Sequence, residues 1–500
     1  MRLVIISNRL PITFSGEDAG KGYKRSIGGL VTGIESYIRM IDKGQTLFSG
    51  YLWVGWPGIV VEEDRQAEFS SFCKERFNCL PVFLTHEIIR EFYSGFCNRT
   101  IWPLFHCFPD YVLHETQSWG YYQAANELFF RTVKDYLEPD DMIWVHDYHL
   151  MLLPSLIRQY SRRAMISFFL HIPFPAFDIF RQLSHIGQVG IIKGLLGADL
   201  VAFHTNEYAH DFLNCVNRVL KIDGTGHEIP VEERMVRINV FPMGIDFRGI
   251  RAMALSEHCA AVRNMIAHDL AGYKIVLSID RLDYTKGILN RLIAFDRLLE
   301  DNPAWRGKVL LMLVVAPSRR EIGSYLQIKR SIDEWVGKIN GTYGTHTWAP
   351  VIYQYRQIDG EDLCALYGVS DIALVTPFKD GMNLIAKEFI ASHTDGRGVL
   401  VLSEMAGAFQ ELGGAIGVNP FRIEELVKAI LQGLTMTNEE QYARSEPMLR
   451  RLENYDVLRW AEDIMEATLI NSRINTYEDH TKFLDLTDRT KPGNVCQQSV

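Results

Sequence analysis

Paired cysteines, an excess of basic residues and long apolar runs are all lacking from this chain of 500 residues. The 8 cysteines include no C-x-x-C pair, so their spacing indicates neither a zinc ribbon nor a disulfide framework. We therefore expect reduced thiols in a cytoplasmic protein. The net charge of −9 argues against nucleic acid or an anionic membrane as the main partner, but it leaves room for a local basic pocket that binds a phosphorylated ligand.

Internal repeats, low-complexity tracts and Asp-x-Asp pairs are also missing. The apolar run at the N-terminus is too short for a signal peptide or a membrane span. With 47% apolar and 23% charged residues, the composition excludes a disordered or collagen-like chain. At roughly 150 residues per domain, a chain of this length suggests about two to four domains.

Short β-branched runs alternate with segments of helical periodicity. Continuous apolar runs are typical of strands buried on both faces. We predict strands at residues 3–6, 142–145, 165–170, 200–203, 238–241, 275–279, 309–315, 351–355, 372–375 and 399–402. We predict helices at residues 120–136, 289–301, 321–336, 362–367, 384–392 and 424–435. This alternation predicts an α/β protein with parallel sheets covered on both faces.

The predicted strands are too many for one open sheet, so two arrangements compete. One is a closed eight-stranded barrel, and the other is a pair of sheets. A polar, helix-prone stretch at 248–270 separates two groups of strands and favours the pair, with a boundary near 245–272. Residues 476–500 are polar and poor in large aliphatic side chains, which predicts a mobile or loosely docked tail.

An arginine and two glycines follow the first predicted strand. Arg9 comes at its end, and Gly28 and Gly29 precede the next helix. Glycines at a helix start let backbone N–H groups approach an anionic ligand, and the helix dipole adds to the attraction. Ligands of open parallel sheets bind at the carboxyl ends of strands, where these residues lie. A plain turn is the alternative interpretation.

Two later motifs also follow predicted strands. Arg281 and Lys286 suit a diphosphate, because arginine offers a planar fork and lysine a point charge. Asp380, Leu384 and Glu388 open a helix whose leading amides suit a phosphate, while the carboxylates suit sugar hydroxyls. An Arg–Asp pair that shapes the loop, a helix cap and a solvated carboxylate remain the structural alternatives.

A cluster of histidines raises the possibility of a metal site. His146, Asp147 and His149 follow one predicted strand and His171 follows the next. Their spacing lacks a good ligand pair. Metal-dependent sugar-nucleotide transferases also typically use an Asp-x-Asp pair, which is missing here. We favour charge handling by the two cations described above, without a metal.

Aromatic residues are concentrated in the first half of the chain. We single out four of these aromatic residues, Trp53, Trp56, Tyr93 and Trp102. Aromatic faces stack on the apolar faces of sugar rings, and burial in the core is the alternative for each of them.

Taken together and in this order, the motifs resemble those of the trehalose-6-phosphate synthases, the retaining glycosyltransferases of family 20, over residues 3–467. The resemblance implies a GT-B fold, in which two Rossmann-like domains with mostly parallel sheets face a central cleft. The domains would span residues 1–245 and 246–455. A helix at 456–475 would cross back to the first domain, and 476–500 would be the polar tail. The resemblance is carried by Ser7-Asn8-Arg9, Gly28-Gly29-Leu30, Trp53-Val54-Gly55-Trp56, Tyr93, Trp102-Pro103, His146-Asp147-Tyr148-His149-Leu150, Leu170-His171-Ile172-Pro173-Phe174-Pro175, Arg281-Leu282-Asp283-Tyr284-Thr285-Lys286-Gly287, Pro317-Ser318-Arg319 and Asp380-Gly381-Met382-Asn383-Leu384 through Glu388.

The resemblance also assigns roles to individual residues. Two cations would neutralise the departing diphosphate, and two further residues would hold glucose hydroxyls. The catalytic residues implied in this way are Arg281, Lys286, His171 and Asp380. The implied donor-binding residues are Gly28, Gly29, Arg281, Lys286, Ile358, Asp380, Leu384 and Glu388. The implied acceptor-binding residues are Arg9, Tyr93, Trp102, Asp147 and Arg319.

The implied reaction is transfer of glucose from UDP-glucose to glucose 6-phosphate with retention, giving α,α-trehalose 6-phosphate and UDP in trehalose biosynthesis. No cofactor and no metal would be needed, since the leaving phosphate oxygen would take the acceptor proton. ADP- or GDP-glucose as donor, another acceptor such as a glycerol phosphate, and a non-catalytic sugar-phosphate sensor remain alternatives. The donor-site charges that are present count against the sensor.

The implied partners are the two small-molecule substrates, with neither nucleic acid nor membrane. A homo-oligomer and a complex with a trehalose-phosphate phosphatase both stay open. Residues 483–490 are only faintly like a phosphatase motif, so we expect no phosphatase activity from this chain.

Overall fold

The computed structural model describes residues 1–14, 22–25, 29–113, 117–319, 323–358 and 360–488. The strands are β1 (Leu3–Arg9), β2 (Ile12–Phe14), β3 (Tyr23–Arg25), β4 (Tyr51–Trp56), β5 (Cys79–Pro81), β6 (Met142–His146), β7 (Met165–Phe169), β8 (Leu200–Phe203), β9 (Glu228–Val231), β10 (Arg234–Val240), β11 (Lys274–Arg281), β12 (Val309–Ala316), β13 (Val351–Gln354), β14 (Ile372–Val375), β15 (Val399–Ser403) and β16 (Ile416–Val418). Strands in the middle of the two sheets, such as β6, β8, β14 and β15, are buried along their whole length.

Helices fill most of the connections between these strands. A π-helical stretch, Ile89–Ile101, joins two short α-helices. The α-helices are α1 (Gly29–Asp42), α2 (Gln66–Phe77), α3 (His86–Ile88), α4 (Trp102–Phe105), α5 (Gln117–Lys134), α6 (Leu153–Tyr160), α7 (Phe177–Phe180), α8 (His185–Leu195), α9 (Asn206–Leu220), α10 (Phe247–Ala254), α11 (Glu257–Asp269), α12 (Ile288–Asp301), α13 (Gly323–Tyr343), α14 (Gly360–Val369), α15 (Leu384–Ser392), α16 (Ile423–Thr435), α17 (Asn438–Asn454) and α18 (Val457–Asp488).

The first sheet has eight strands in the order β5-β4-β1-β6-β7-β8-β10-β9. All neighbours are parallel except β9 and β10. The chain starts at the central β1, builds outward on one side and then returns to build on the other. This reversal leaves a crevice at the carboxyl ends of β1 and β6 (the β1/β6 crevice), the place where open α/β sheets bind ligands.

The second sheet has six parallel strands in the order β13-β12-β11-β14-β15-β16. Its order reverses in the same way around the central β11, which leaves a second crevice between β11 and β14 (the β11/β14 crevice). A separate hairpin pairs β2 with β3. The structure therefore has two doubly wound sheets, each with one crevice of the kind that holds a ligand.

The last described helix, α18, packs on the first sheet after the chain has completed the second. Trp460 lies in the same apolar core as the buried strand residue Trp144, with ring centroids 5.2 Å apart. Its indole Nε1 donates to the carbonyl oxygen of Phe241 at 3.2 Å. The helix continues past residue 475 to Asp488. Neither glycine nor proline occurs within α18, so nothing in its sequence interrupts it there.

Every predicted strand and helix is found among the described residues, with ends shifted by up to seven residues. The helix predicted at 321–336 ends at Tyr343, and residues 321–322 lie outside the described residues. Two sheets are present, so the closed barrel is wrong. The prediction missed β4, β5, β9, β16 and the β2–β3 hairpin. Most of these are short, and the aromatic residues of β4 were interpreted as sugar contacts. In the described part of the chain, no helix is long and apolar enough to cross a bilayer.

Candidate active site

The carboxyl edges of the two sheets meet, and backbone atoms from both sides touch. Gly381, after β14, lies so close to His171, after β7, that a Cβ at position 381 would collide with the His171 carbonyl oxygen. Tyr208 on α9 donates its hydroxyl hydrogen to the carbonyl oxygen of Asp380 at 3.0 Å. These contacts bring the β1/β6 and β11/β14 crevices together into one site.

Two helix N-termini converge on the site. Helix α1 begins at Gly29 and α15 begins at Leu384. A Cβ at Gly29 would collide with the side chain of Leu384, so the two helix starts are in contact. The free amides and positive dipole ends of two helices at one place favour an anion such as a diphosphate. Both residues were predicted for the donor site, whereas the predicted Gly28 lies outside the described residues.

Lys286 and Asp380 form the charged pair between these helix starts. Lys286 Nζ lies 2.5 Å from Asp380 Oδ2, and Asn383 donates to the same oxygen at 3.0 Å. Burial acts to raise the pKa of Asp380, but the Lys286 charge outweighs it and holds that pKa below its ordinary value. The carboxylate is therefore ionised and can accept hydrogen bonds from sugar hydroxyls.

Arg281 is the exposed cation of the site. It ends β11, and it makes no hydrogen bond or ion pair with any residue that the structure describes. Its guanidinium carbon lies 6.0 Å from the centroid of the Trp102 ring. Because no intramolecular bond has to break first, this guanidinium can turn toward an incoming phosphate and bind it through its planar fork.

Glu388 and Ile358 are the remaining residues predicted for the donor site, and both are partly buried. Glu388 Oε2 accepts a hydrogen bond from Tyr367 at 3.2 Å, and burial raises the pKa of Glu388 to about 7. Ile358 packs against the apolar core of the second sheet.

On the first sheet, Arg9 and Tyr93 surround a buried histidine. The guanidinium carbon of Arg9 lies 4.1 Å from the Trp56 ring centroid and 5.9 Å from that of Tyr93. Tyr93 stacks on His149, with centroids 5.8 Å apart and planes 14° apart. Burial holds the pKa of His149 well below its ordinary value, so this ring is neutral. Arg9 thus presents a positive charge above an aromatic surface.

Arg319, in the segment after β12 of the second sheet, brings another guanidinium to the site. Its guanidinium carbon lies 4.0 Å from the Trp102 ring centroid, and Nη2 donates to the Tyr148 hydroxyl at 3.4 Å. Its Nη1 donates to Asp283 Oδ2 at 3.1 Å and also to the hydroxyl of Tyr325. An arginine held by a ring and three polar partners is fixed in orientation, as recognition of a phosphate requires.

Asp147 lies near both Arg281 and Arg319, whose charges both act on its carboxylate. Its Oδ1 accepts a hydrogen bond from the His171 backbone N–H at 3.3 Å. Burial raises the pKa of Asp147 to about 6, against the opposing charges of Arg281 and Arg319. Its φ of 73° is unusual for a residue other than glycine, and Arg319 and Asn383 share this left-handed region. Strained backbone of this kind clusters at functional sites.

The histidines do not form a metal centre. His149 stacks on Tyr93, whereas Nδ1 of the buried His146 lies 3.0 Å from Nε2 of His171. Within the residues that the structure describes, no group of three or more His, Cys, Asp or Glu side chains could hold a metal ion. That catalysis needs no metal stays a prediction.

Arg291, which was not predicted, is a buried arginine that holds the loop of Lys286 in place. Arg291 of α12 donates to Thr376 Oγ1 at 3.0 Å and to the carbonyl oxygen of Lys286 at 2.7 Å. Its Nη2 lies 2.8 Å from a carboxylate oxygen of the equally buried Asp280. One side chain thereby ties together the ends of β11 and β14 and the loop that carries Lys286. No local signal marks Arg291, because Thr376 is 85 residues away and the bond to Lys286 is to its backbone carbonyl oxygen, which any residue type would supply.

Two ion pairs across the chain were missed as well. The loop-shaping Arg–Asp pair that was considered for the second motif does form, but Asp283 pairs with Arg319 at 3.1 Å rather than with Arg281. Lys379 pairs with Glu207 of α9 at 2.6 Å, next to the contact between Gly381 and the first sheet. Asp283 and Arg319 each lie in a motif that the sequence analysis named, but no spacing in the sequence links the two members of either pair.

Gly287 limits the shape of the loop that carries Lys286. Its φ is 69°, and a Cβ there would collide with the carbonyl oxygen of Thr376. We expect Gly287→Ala to destabilise the protein by about 1–3 kcal/mol, because both the conformation and the space exclude a side chain. Denaturation in urea measures this change. Gly272→Ala is the control, since its φ is 88° but a Cβ there meets nothing within 4 Å. Equal destabilisation of the two variants would show that the contact with Thr376 has no effect.

The family model of glycosyltransferase family 20 matches residues 1–469. The chain belongs to this family. A bifunctional trehalose-6-phosphate synthase/phosphatase from Thermoproteus tenax is 42% identical to it over 477 residues, which are 94% of this chain and 64% of the relative. The chain thus spans less than two thirds of the length of that family 20 relative.

Two solved structures have a fold similar to that of this chain. One is a UDP-forming α,α-trehalose-phosphate synthase from Burkholderia xenovorans in complex with glucose-6-phosphate. It is 29% identical, with a TM-score of 0.83, over 94% of this chain and 100% of that chain. The other is a trehalose-6-phosphate structure from E. coli bound with UDP-2-fluoro glucose. It is 31% identical, with a TM-score of 0.82, over 94% of this chain and 99% of that chain.

Proposed function

We propose that this chain transfers glucose from UDP-glucose to glucose 6-phosphate with retention of configuration, releasing UDP and α,α-trehalose 6-phosphate. One observation carries the proposal. Two separate groups of cations lie at the facing edges of two doubly wound sheets, one beside converging helix starts and one above aromatic rings. The first group suits a sugar nucleotide and the second suits a sugar phosphate.

The donor binds at the β11/β14 crevice in this proposal. The amides at Gly29 and Leu384 face its phosphates, and Arg281 and Lys286 stabilise the diphosphate as negative charge develops on it. Asp380 and His171 hold hydroxyls of the glucose ring. The ionised carboxylate of Asp380 supports its part as an acceptor of hydrogen bonds.

The rest of the donor contacts the second half of the chain. Glu388 binds the ribose hydroxyls and Ile358 contacts the uracil. The hydrogen bond from Tyr367 supports the role of Glu388 by fixing the direction of its carboxylate. Gly28, which lies outside the described residues, is proposed to contact the phosphates from the motif match alone.

The acceptor binds at the β1/β6 crevice. Arg9, Arg319 and Tyr93 bind its phosphate, Trp102 packs near the sugar, and Asp147 accepts a hydrogen bond from a sugar hydroxyl. The acceptor hydroxyl and the leaving phosphate oxygen then lie on the same face of the transferred glucose, so that oxygen takes the acceptor proton as the new bond forms. Catalysis consists of positioning together with electrostatic stabilisation of the departing UDP.

The proposal divides the chain into domains at residues 1–245 and 246–455. Support comes from the place where the chain passes between the sheets. Val457 N–H donates to the Ile245 carbonyl oxygen at 3.0 Å, so the two crossings lie side by side. Neighbouring crossings of this kind are suited to act as a hinge when substrates bind.

The proposal also includes metal independence, a cytoplasmic location and association with a trehalose-phosphate phosphatase. Arg281 and Lys286 supply the positive charge that a metal would otherwise bring to the diphosphate. The product passes to a trehalose-phosphate phosphatase, and the bifunctional relative from Thermoproteus tenax, which has both activities in its name, supports this partnership.

Removing the Arg9 side chain should weaken acceptor binding selectively. We expect Arg9→Ala to raise the KM for glucose 6-phosphate about 10- to 100-fold, the effect of losing one charge-assisted hydrogen bond, with the Kd for UDP-glucose unchanged. Initial rates and calorimetry measure the two quantities. Arg131→Ala, an exposed change on α5, is the matched control. An equal loss of affinity for both substrates would contradict the assignment of Arg9 to the acceptor.

Titration of Asp147 should be visible in the pH profile. Its pKa of about 6 means that the carboxylate is protonated below that pH and ionised above it. We expect kcat/KM to fall as the pH drops through about 6, because the protonated group is a poorer hydrogen-bond acceptor. The acceptor phosphate titrates in the same range, so the profile is compared with that of Asp147→Asn. Identical profiles would show that Asp147 does not contribute.

A panel of donors and acceptors tests the function. UDP-, ADP- and GDP-glucose are each incubated with glucose 6-phosphate or glycerol 3-phosphate in buffer with EDTA, and nucleotide release is followed. We expect the fastest release from UDP-glucose with glucose 6-phosphate, and no effect of EDTA. Tight binding of UDP-glucose without release of nucleotide under any condition would contradict the enzymatic function and favour a sugar-phosphate sensor.

A further inference from the structure

We propose that His146 is a positioning residue, which fixes the tautomer of His171 so that the His171 proton is on Nδ1 and faces the transferred sugar. This inference rests on the proposed role of His171 as a contact of a glucose hydroxyl. It adds a second histidine, which would not touch substrate but would decide whether the first one donates or accepts a hydrogen bond.

The two imidazoles share a single hydrogen bond. His146 Nδ1 and His171 Nε2 are 3.0 Å apart and the ring centroids are 5.3 Å apart, so the rings meet edge to edge and the bond lies in the plane of both. Burial lowers the pKa of each ring well below its ordinary value, so both are neutral. A neutral imidazole carries one proton, so one of the two rings donates and the other accepts.

The other nitrogen of His146 determines the direction of this bond. His146 Nε2 is buried and has no hydrogen-bond partner. If the proton were on Nε2, the interior would contain an unpaired N–H donor, and such orphaned donors are rarer in proteins than unpaired acceptors. The proton of His146 is therefore on Nδ1, from which it is donated to His171 Nε2.

His171 then has its own proton on Nδ1. This nitrogen has no hydrogen-bond partner among the described residues. It is also absent from the set of fully buried unpaired atoms, so it is accessible from the site. Nδ1 is therefore free to donate to a hydroxyl oxygen of the sugar. The backbone of His171 is held by its hydrogen bond to Asp147 and by the close approach of Gly381, so the ring is presented from a fixed position.

Nitrogen NMR of the full chain measures the tautomer directly. Protein labelled with ¹⁵N-histidine gives two-bond ¹H–¹⁵N correlations, and the His171→Gln variant identifies the signals of His171. We expect a protonated Nδ1 and an unprotonated Nε2 for His171, and a protonated Nδ1 for His146. A protonated Nε2 on His171 would overturn the inference.

Two variants of His146, each with a carboxamide side chain, test whether the hydrogen bond to His171 affects catalysis. His146→Asn places an amide N–H near the position of Nδ1, whereas His146→Gln places it near Nε2, away from His171. We expect His146→Gln to lower kcat about 10- to 100-fold with the KM for glucose 6-phosphate unchanged, and His146→Asn to recover most of the loss. Equal rates for the two variants, each with the wild-type melting temperature, would contradict the inference.

The two measurements separate this inference from the proposed function. The NMR experiment uses protein without substrate and does not depend on turnover. If the tautomer is as expected but no trehalose 6-phosphate forms, the proposed function fails and the arrangement of the histidines stands. If the product forms while His171 carries its proton on Nε2, the function stands and the role of His146 fails.

Discussion

Replacing Arg281 with alanine is expected to lower kcat by about 10³-fold or more while the protein remains folded. Arg281 is exposed and has no hydrogen bond or ion pair with any described residue, so its removal breaks no contact of that kind within them. Negative charge develops on the leaving diphosphate, and loss of a fixed positive group at that point raises the barrier by several kcal/mol. Single-turnover rates with UDP-glucose and glucose 6-phosphate measure the effect.

Two further variants make this result specific to the position of the charge. Arg281→Lys retains the charge without the planar fork and should fall between the wild type and the alanine variant. Arg297→Ala removes an exposed arginine from the outer surface of α12 and should have no effect on kcat. Near wild-type turnover of Arg281→Ala would refute the leaving-group role, whatever the other variants do.

Replacing Arg291 with methionine is expected to cost about 3–5 kcal/mol of the free energy of unfolding. The change leaves Asp280 buried without its positive partner, and an uncompensated buried charge is strongly destabilising. It also removes the hydrogen bonds to Thr376 and to the carbonyl oxygen of Lys286, so kcat should fall. Urea denaturation and initial rates measure the two effects.

A double variant separates the charge from the packing. Asp280→Leu combined with Arg291→Met removes both charges, and replacing a buried pair by apolar groups is often close to neutral. We expect the double variant to be more stable than Arg291→Met alone. It should still have low activity, because the loop of Lys286 has lost its support. A loss below about 1 kcal/mol for the single variant would show that Asp280 is not left as a buried charge.

Ten of the strands could be predicted because each is a mostly apolar run. Strand β12 is a clear case, since nearly all of its side chains are buried. Strand β4 was missed because its tryptophans also suit sugar binding. In the structure Trp53 is fully buried and its Nε1 donates to Ser7 Oγ at 2.8 Å, so that aromatic residue is part of the core. Composition alone does not distinguish these two uses of tryptophan.

The positions of the site residues could be predicted better than their pairings. Arg9, Arg281 and Asp380 were placed at strand ends by the pattern of the sequence. That Lys286 pairs with Asp380, and that Asp283 pairs with Arg319, depends on the order of strands in the second sheet. Strand order brings together residues that are distant along the chain, and no spacing in the sequence records it.

The most direct test of the whole account is the anomeric configuration of the product. Purified protein is incubated with UDP-glucose and glucose 6-phosphate in EDTA, and the sugar is examined by NMR. The account predicts α,α-trehalose 6-phosphate, formed in equal amount with UDP. A product with a β linkage, or release of UDP with free glucose and no disaccharide, would contradict it.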